Sequence, residues 1–574
     1  MKAHFLIFAA AVCAASSAEA QISYGGEPLS FSRPMSIEAP TTLMPHIDVP
    51  ALLAEDEENM RTKVGAFRFA PTLPVELSLD NSGVWTSFDN GDRMWRLRIE
   101  SPGAYSINVI FDSFWMPPGA SLFVYNDDRS WVLGEFNELN NESHGQFAIQ
   151  PVVGEAVTFE YYEPANAPSG RLQISEVFPA YRDLYGLGKA GGGKASGSCN
   201  INVNCPLGAN YQDVKRSSAR LVMGGGLCSG SLVTNTANDG KQYFMTANHC
   251  YGGNPATWVF QFNYEAANCN GTTGTPQSVT GSTLRTKSAT GDHCLVQITP
   301  TIPQNYNAYL AGWSRSTTNP TMGTGIHHPQ GDIKKICQDI NTLTKATFGG
   351  TNCWHISQWD SGVTEPGSSG SPIYDQNKRY VGQLYGGSAT CSFLFDDYYG
   401  RFDISMGAGL ATYLDPLGTG QTTTDGRELY LPAASVYCTS KVNSQFCNPA
   451  IAFSGTPSAS SASPFTISCA NLINNKNGLF FYGYTPLGAS FQGGHLCIKA
   501  PTKRLSVQNT GGNPPPEDCS GALSVNFNAV IQGGSDPALI PGAKIYVQTW
   551  ARDPNDLNGF GTQLSDAVQF TINN

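Results

Sequence analysis

The chain has 574 residues, of which 40% are hydrophobic and 14% charged, and its 61 glycines and 36 prolines make it rich in turns. This composition excludes a disordered or collagen-like chain, and at roughly 100–200 residues per domain the length allows about three or four domains. The formal net charge of −11 is accompanied by no long run of basic residues, which argues against nucleic acid as a partner.

The first twenty residues have the pattern of a secretory signal peptide. Lys2 precedes an apolar run over 5–15, and small residues at Ala18 and Ala20 suit cleavage by signal peptidase. No later stretch approaches 18 uninterrupted apolar residues, so we expect no membrane span and a secreted, extracellular protein.

The next region, up to residue 194, is predicted to be rich in β-strands. Its one expected helix begins near Pro50 and includes the acidic stretch 55–58, because proline suits a first helical turn and carboxylates suit the positive end of the helix dipole. Alternating segments at 95–99, 121–125 and 157–161 predict a small β-sandwich. The stretch 188–194, with three consecutive glycines and two lysines, predicts an exposed junction that a protease can cut.

Cysteines and turns mark the two regions that follow. The segment from Cys199 to about Asp415 holds nine of the 14 cysteines that lie outside the signal. Beyond a polar linker at 418–426, residues 428–574 predict an all-β accessory module resembling a sandwich. Five cysteines of this module cannot all pair with one another: Cys438, Cys447, Cys469, Cys497 and Cys519.

Disulfides explain these cysteines better than metal binding does. An exported chain meets an oxidising compartment, and the sequence contains neither a C-x-x-C pair nor an H-E-x-x-H motif. His327 and His328 are adjacent, so in a strand they would point to opposite faces. We therefore expect no metal and no cofactor.

Three short segments together predict a site for nucleophilic catalysis by serine. His249 follows the apolar strand 244–247, Asp292 precedes the strand 294–298, and Ser369 lies in the glycine-rich loop 365–372. A serine hydroxyl needs a neighbouring imidazole to take its proton, and the imidazole needs a carboxylate to fix its tautomer. The backbone N–H groups of Gly367 and Ser369 would point at the developing oxyanion if the loop turns tightly.

In these motifs the sequence resembles the chymotrypsin-like serine proteases and, within them, the bacterial lysyl endopeptidases. The matching segments lie between Ser198 and about Pro416, at 197–201, 228–232, 362–374 and 399–401. The resemblance implies an all-β fold of two six-stranded β-barrels over 195–427, with His249 as general base, Asp292 as its orienting carboxylate and Ser369 as nucleophile. It also implies protein or peptide substrates, a monomeric enzyme, and residues 21–194 as a propeptide that serves as intramolecular inhibitor and chaperone.

The same resemblance implies three disulfides, which are Cys199–Cys391, Cys205–Cys269 and Cys228–Cys250. Cys337 and Cys353 have no counterpart in this pattern, and we expect them to form an extra bridge. Cys294 is then left as a buried thiol in the strand after Asp292.

Specificity for lysine requires an acidic group in the substrate pocket, and in this chain that group must come from a position other than the one that trypsin uses. That position, six residues before Ser369, is occupied by Val363, which cannot pair with a cation. The resemblance instead assigns a lysine-binding carboxylate to Asp397, next to Gly386 on the pocket wall. Asp396 is the weaker choice because neighbours in a strand face opposite ways, and a solvated acidic turn is the alternative interpretation. Phe348 and Tyr385 stand where the family has a tryptophan and a histidine beside the cleft.

Activation is expected to differ from that of digestive relatives, in which an aspartate directly before the nucleophile receives the new N-terminus. Ser368 occupies that position, so maturation would act by unblocking the cleft, with Lys194 as the expected cleavage site and Lys189 as the second choice. Two alternatives stay open: a protease of other specificity, such as glutamyl, and an inactive trypsin-like binding or adhesion protein.

Overall fold

The computed structural model describes residues 22–33, 35–62, 65–186, 196–271, 276–430 and 434–573. The signal sequence 1–20 and the expected cleavage sites Lys189 and Lys194 lie outside these residues. The chain forms two compact units, one of residues up to 237 with 241–429, and one of 238–240 with 430 onward. Within the described residues, no helix combines the length and apolarity needed to cross a membrane.

The N-terminal region is a β-sandwich, as its alternating segments predict. One sheet has the order β1-β5-β11-β7-β8 with β4 on β5, and the other has the order β10-β6-β12-β3 with β9 on β6. Large apolar side chains from both sheets, including Trp95, Phe111 and Phe159, fill the core between them. The elements are helices α1 (Leu29–Ser32) and α2 (Val49–Thr62) and strands β1 (Thr41–Leu43), β2 (Phe67–Arg68), β3 (Leu73–Ser78), β4 (Val84–Ser87), β5 (Arg93–Glu100), β6 (Ser106–Trp115), β7 (Ser121–Asn126), β8 (Val132–Phe136), β9 (Phe147–Ala148), β10 (Val152–Val153), β11 (Ala156–Glu163) and β12 (Arg171–Pro179).

The first half of the protease-like segment is a closed six-stranded barrel. Its sheet has the order β18-β17-β14-β15-β16-β20-β19, and β2 of the N-terminal region adds to β15. Gly281 separates β18 from β19 and has φ +103°, a conformation that favours glycine. The bent β18–β19 segment therefore pairs with β17 at one end and β20 at the other, which closes the barrel. Its strands are β14 (Ser218–Met223), β15 (Gly226–Val233), β16 (Tyr243–Ala247), β17 (Val259–Phe262), β18 (Gln277–Thr280), β19 (Ser282–Ser288) and β20 (His293–Ile298). Strand β13 (Ile201–Asn202) precedes them in the chain and pairs in the second sheet.

The second half is also a barrel. Its sheet has the order β13-β24-β23-β27-β28-β29-β26-β25, and the six strands from β24 to β26 in this order form the barrel. It closes where the Gln338 N–H donates to the Ser361 carbonyl at 2.8 Å, joining β24 to the chain after β26. The prediction of two six-stranded barrels is thus confirmed. The elements are β21 (Tyr309–Leu310), β22 (Trp313–Ser314), β23 (Gly323–His327), β24 (Lys335–Asp339), β25 (Thr344–Phe348), β26 (Thr351–Gln358), β27 (Pro372–Tyr374), β28 (Tyr380–Gly387), β29 (Phe395–Arg401), α3 (Phe402–Ser405), a π-helical turn (Met406–Leu410), α4 (Ala411–Leu414), β30 (Thr423–Thr424) and β31 (Arg427–Glu428).

The second unit has two larger sheets around its main core, and β36 and β37 pair as a separate two-stranded sheet. A six-stranded sheet has the order β32-β42-β41-β35-β38 with β39 on β35, and a three-stranded sheet has the order β33-β34-β40. Phe465, Phe527 and Phe570 pack between them. The elements are β32 (Ser435–Tyr437), β33 (Ala450–Ser454), β34 (Thr466–Leu472), β35 (Asn477–Gly483), β36 (Pro486–Phe491), β37 (Gly494–Ile498), β38 (Lys503–Arg504), β39 (Gln508–Asn509), β40 (Gly521–Asn526), α5 (Phe527–Gln532), β41 (Lys544–Arg552) and β42 (Thr562–Thr571).

The disulfides agree with the predicted pattern except at one place. The three implied bridges are present, Cys199–Cys391, Cys205–Cys269 and Cys228–Cys250, and the second unit adds Cys438–Cys497 and Cys447–Cys519. Cys294 and Cys469 are buried thiols.

The expected bridge between Cys337 and Cys353 is wrong. The Cys337 thiol donates to the Gly325 carbonyl at 3.8 Å, whereas the Cys353 thiol lies against the Thr351 carbonyl at 3.5 Å. The two residues lie in β24 and β26, and neither forms a disulfide. Having no counterpart in the family's disulfide pattern was therefore an insufficient reason to pair them.

Candidate active site

His249 and Asp292 meet in the first barrel. The His249 Nδ1 atom lies 2.8 Å from Asp292 Oδ2, and the His249 backbone N–H donates to Oδ1 at 3.0 Å. A 3₁₀ turn over Asn248–Cys250 places the imidazole, and the Cys228–Cys250 disulfide ties that turn to β15. The carboxylate thus holds both the ring and the backbone of the same residue.

The backbone around Asp292 is held by the second barrel. Asp292 has φ +51°, in the left-handed region that a non-glycine residue seldom adopts. The preceding Gly291 carbonyl accepts hydrogen bonds from Gln383 Nε2 at 2.5 Å and Ser405 Oγ at 3.4 Å. A side chain at Gly291 would overlap Ser405. Residues of both barrels therefore fix the orientation of this carboxylate.

Ser369 lies in a loop that Ser229 holds at two points. The Ser229 N–H donates to the Ser369 carbonyl at 2.8 Å, and its hydroxyl donates to the Gly367 carbonyl at 2.9 Å. Gly367 and Gly370 have φ +92° and +78°, so the loop turns as tightly as the glycine pattern predicts. Ser229 thus holds the carbonyls of Gly367 and Ser369 against β15.

The Ser369 hydroxyl donates to a residue of the N-terminal region, the Gly65 carbonyl, at 3.5 Å. Ser369 is fully buried, and His249 Nε2 has no hydrogen-bond partner among the described residues. Hydrogen bonds between a nucleophile and its base are often long before a substrate is bound. The structure thus describes all three predicted side chains, with His249 bonded to Asp292 and a segment of the same chain in contact with the Ser369 hydroxyl.

Asp397 is a fully buried carboxylate between β28 and β26. Its Oδ2 atom accepts hydrogen bonds from Trp359 Nε1 and Thr364 Oγ1, both at 2.7 Å. Neighbouring Asp396 faces the other way: its side chain is 44% exposed, and its Oδ1 lies 2.8 Å from His355 Nε2. The alternation predicted for these neighbours is therefore observed, and Asp397 does not lie in a solvated turn.

The wall beside Asp397 has an aromatic surface that reaches His249. Gly386 pairs with Tyr398 in the β28–β29 ladder, and the preceding Tyr385 stacks on His249 with ring centroids 5.5 Å apart. Phe348 contacts the Tyr385 ring edge to face at 5.3 Å and stacks on Tyr398 at 4.5 Å. Burial, and then the charge of Asp292, raise the pKa of Tyr385, so its phenol stays protonated at neutral pH.

Ser368 forms hydrogen bonds within the fold, whereas the aspartate that digestive relatives have at this position pairs with the new N-terminus. His327 Nδ1 lies 2.7 Å from the Ser368 hydroxyl, which also accepts the Glu365 N–H at 3.1 Å. His328 bonds to a different group, the Asp332 carbonyl, at 2.9 Å. Within the parts of the chain that the structure describes, no group of three or more potential metal ligands occurs.

Several residues of the site were not identified from the sequence. Trp359, which donates to Asp397, lies outside the matching segments, whereas Thr364 and Ser229 lie within them but have no role assigned from the sequence. Gly65 lies 304 residues before Ser369. A contact of this kind leaves no signal in a single sequence.

Comparison with known proteins finds similarity over this segment. The family model for the lysyl endopeptidase C-terminal domain matches residues 193–400. The resemblance drawn from the motifs is thereby confirmed, and these residues hold His249, Asp292, Ser369 and Asp397.

A curated relative and two solved structures are also similar to this chain. The lysyl endopeptidase of Pseudomonas aeruginosa is 30% identical over 279 residues, which cover 44% of this chain and 60% of that protein. The chain therefore matches well under two thirds of its relative. The thermostable serine protease AL20 from an extremophilic microorganism is 15% identical with a TM-score of 0.26, over 34% of this chain and 95% of that one. A Glu endopeptidase is 15% identical with a TM-score of 0.25, over 36% and 92%.

Proposed function

We propose that this protein is a secreted serine endopeptidase that hydrolyses peptide bonds on the carboxyl side of lysine. The observation that carries the proposal is the pair of bonds from His249 to Asp292, at 2.8 Å from Nδ1 and 3.0 Å from the backbone. A carboxylate on Nδ1 leaves Nε2 as the basic atom of the ring. His249 Nε2 would then accept the Ser369 proton.

In the first step the Ser369 Oγ attacks the carbonyl carbon of the scissile bond while its proton passes to His249. Negative charge develops on the carbonyl oxygen, and the N–H groups of Gly367 and Ser369 would stabilise it. His249 then returns the proton to the leaving amine, which departs as the C-terminal product. Water hydrolyses the resulting ester by the same proton transfers in reverse, which frees Ser369.

The lysine specificity is supported by the environment of Asp397. Its carboxylate is removed from water and held by Trp359 and Thr364, and the side chain of Val363 lies in the apolar cluster below it. A buried carboxylate favours a cationic substrate group because the alternative is an uncompensated charge. A glutamyl substrate would bring a second negative charge to this pocket, which argues against the glutamyl alternative.

A cleavage profile of the processed protein on a mixed peptide library tests activity and specificity together. We expect cuts after lysine. Cuts after acidic or apolar residues would refute the lysyl assignment, while labelling of Ser369 by a phosphonate probe would still support a serine protease. A processed protein that neither cleaves nor labels would favour a binding or adhesion protein.

We propose further that residues 21–194 are a propeptide that inhibits the monomeric enzyme. The bond from the Ser369 hydroxyl to the Gly65 carbonyl supports this part of the proposal.

A further inference from the structure

A strand of the N-terminal region extends the first barrel beside the candidate nucleophile. Phe67 and Arg68 of β2 pair antiparallel with Leu227 and Gly226 of β15. The next residue of β15 is Cys228, whose disulfide ties down the His249 turn. An extended substrate would use the same free strand edge, because main-chain pairing is the usual way in which sheet edges bind peptides.

The segment reaches Ser369 in a conformation that does not favour attack. The hydroxyl donates to the Gly65 carbonyl oxygen, whereas catalysis requires the oxygen atom to approach the carbonyl carbon. Gly65 has φ +107°, a backbone conformation that other residues seldom adopt. It also has no side chain to offer to a pocket containing Asp397. This peptide is thus a poor substrate for a protease that selects lysine.

Apolar side chains hold the segment against the barrel. Phe67, Phe69 and Ala70 are 5%, 0% and 2% exposed, and they share one core with Val222 and Leu227 of the barrel. The Phe69 N–H donates to the Gly225 carbonyl at 2.9 Å. The segment is therefore packed as part of the fold.

A charged cluster holds the same segment from the outer side. Asp56, in helix α2, is 4% exposed and accepts hydrogen bonds from Arg68 Nε and Arg182 Nη2, both at 2.8 Å. The Tyr181 hydroxyl donates to the same carboxylate at 2.5 Å. The helix before the segment and the chain after β12 are thus joined to Arg68 through Asp56, which restrains the segment at that residue.

We infer that Gly65–Ala70 is an inhibitory segment that occupies the leaving-group side of the active site without being cut. The inference rests on the proposed function and deepens it, because it names the segment that blocks the active site and explains why the enzyme does not cleave that segment. The position of Lys63 provides a test, because it is the only lysine between residues 3 and 188 and stands two residues before Gly65. A new N-terminus at Val64 or Ala66 would mean that the enzyme cleaves the segment as a substrate.

The test uses the full chain with Lys189→Gln and Lys194→Gln, which keeps the N-terminal region attached. Ser369 of this parent should react with a phosphonate probe at least about a hundredfold more slowly than Ser369 of the processed wild type, since several large apolar contacts must open first. Adding Phe69→Ala or Arg68→Ala should speed labelling at least about tenfold. Arg98→Ala, which removes another Arg–Asp pair of the same region, should leave the rate unchanged.

Circular dichroism of each variant shows whether it is folded, and the Arg68 variant serves if the Phe69 variant is not secreted. Labelling of the parent at the processed rate would overturn the inference, and so would N-termini at Val64 or Ala66. Failure of the proposed function gives a different result, because the processed wild type itself would then not cleave lysyl peptides.

Discussion

The Trp359 indole N–H donates a hydrogen bond to Asp397 Oδ2 at 2.7 Å. Trp359 itself is fully buried, so this bond fixes the carboxylate from a position that solvent does not reach. Thr364 donates to the same oxygen at 2.7 Å, five residues before Ser369. The position of the candidate specificity residue is thus coupled to the loop that carries the candidate nucleophile.

Asp397→Asn should lower kcat/KM for lysyl peptides by at least about a hundredfold, because a buried ammonium without its counter-charge costs several kcal/mol. Asp396→Asn is the matched control, since Asp396 is partly exposed and bonded to His355. Both proteins are processed in trans by wild-type enzyme before assay. Equal losses in the two variants would contradict the assignment of Asp397.

Ser369→Ala should reduce turnover by roughly four powers of ten or more while leaving thermal unfolding close to that of the wild type. We also expect N-terminal sequencing to find Ala195 at the start of the secreted wild type, from a cut after Lys194, and an uncut N-terminal region in the variant. If both chains begin at the same processed residue, another protease carries out maturation.

Acid should destabilise the fold partly through His293. Burial lowers the pKa of His293 to about 4, and neither ring nitrogen has a hydrogen-bond partner among the described residues. The unfolded histidine, with a pKa of about 6.5, binds a proton more readily than the folded one as the pH falls from about 6.5 to about 4. The free energy of unfolding should therefore decrease over this window, by at most about 1.4 kcal/mol per pH unit from this group.

Urea unfolding of the Ser369→Ala protein at several pH values measures this dependence. His293→Leu should flatten it between about pH 6.5 and pH 4, whereas His495→Gln, at an exposed site, should not. An unchanged pH dependence in the His293 variant would show that this histidine is not responsible.

Loss of the Cys228–Cys250 disulfide should lower the free energy of unfolding by about 3 kcal/mol, because the bridge closes a loop that is otherwise free in the unfolded chain. The double variant Cys228→Ala/Cys250→Ala and the single variant Cys294→Ala are compared by urea unfolding. Cys294 is a buried thiol, so its removal changes packing without changing chain connectivity. A loss no larger than that of Cys294→Ala would contradict the prediction.

The sequence by itself determined the features that depend on local pattern. Alternating apolar residues at 95–99, 121–125 and 157–161 indicated strands β5, β7 and β11, and the acidic stretch after Pro50 indicated helix α2. The motifs around His249, Asp292 and Ser369 are short because a strand end or a tight turn must present each side chain, and such local demands leave a recognisable residue pattern.

Only the tertiary structure decided which distant residues meet. The Cys337–Cys353 bridge was expected because neither residue has a counterpart in the family's disulfide pattern, and the positions of β24 and β26 in the second barrel leave both thiols unbridged. The hydrogen bonds of Trp359 and Thr364 to Asp397, and the contact of Gly65 with Ser369, join positions between 33 and 304 residues apart. Contacts across a barrel or between two regions depend on strand register and packing, which no local periodicity encodes.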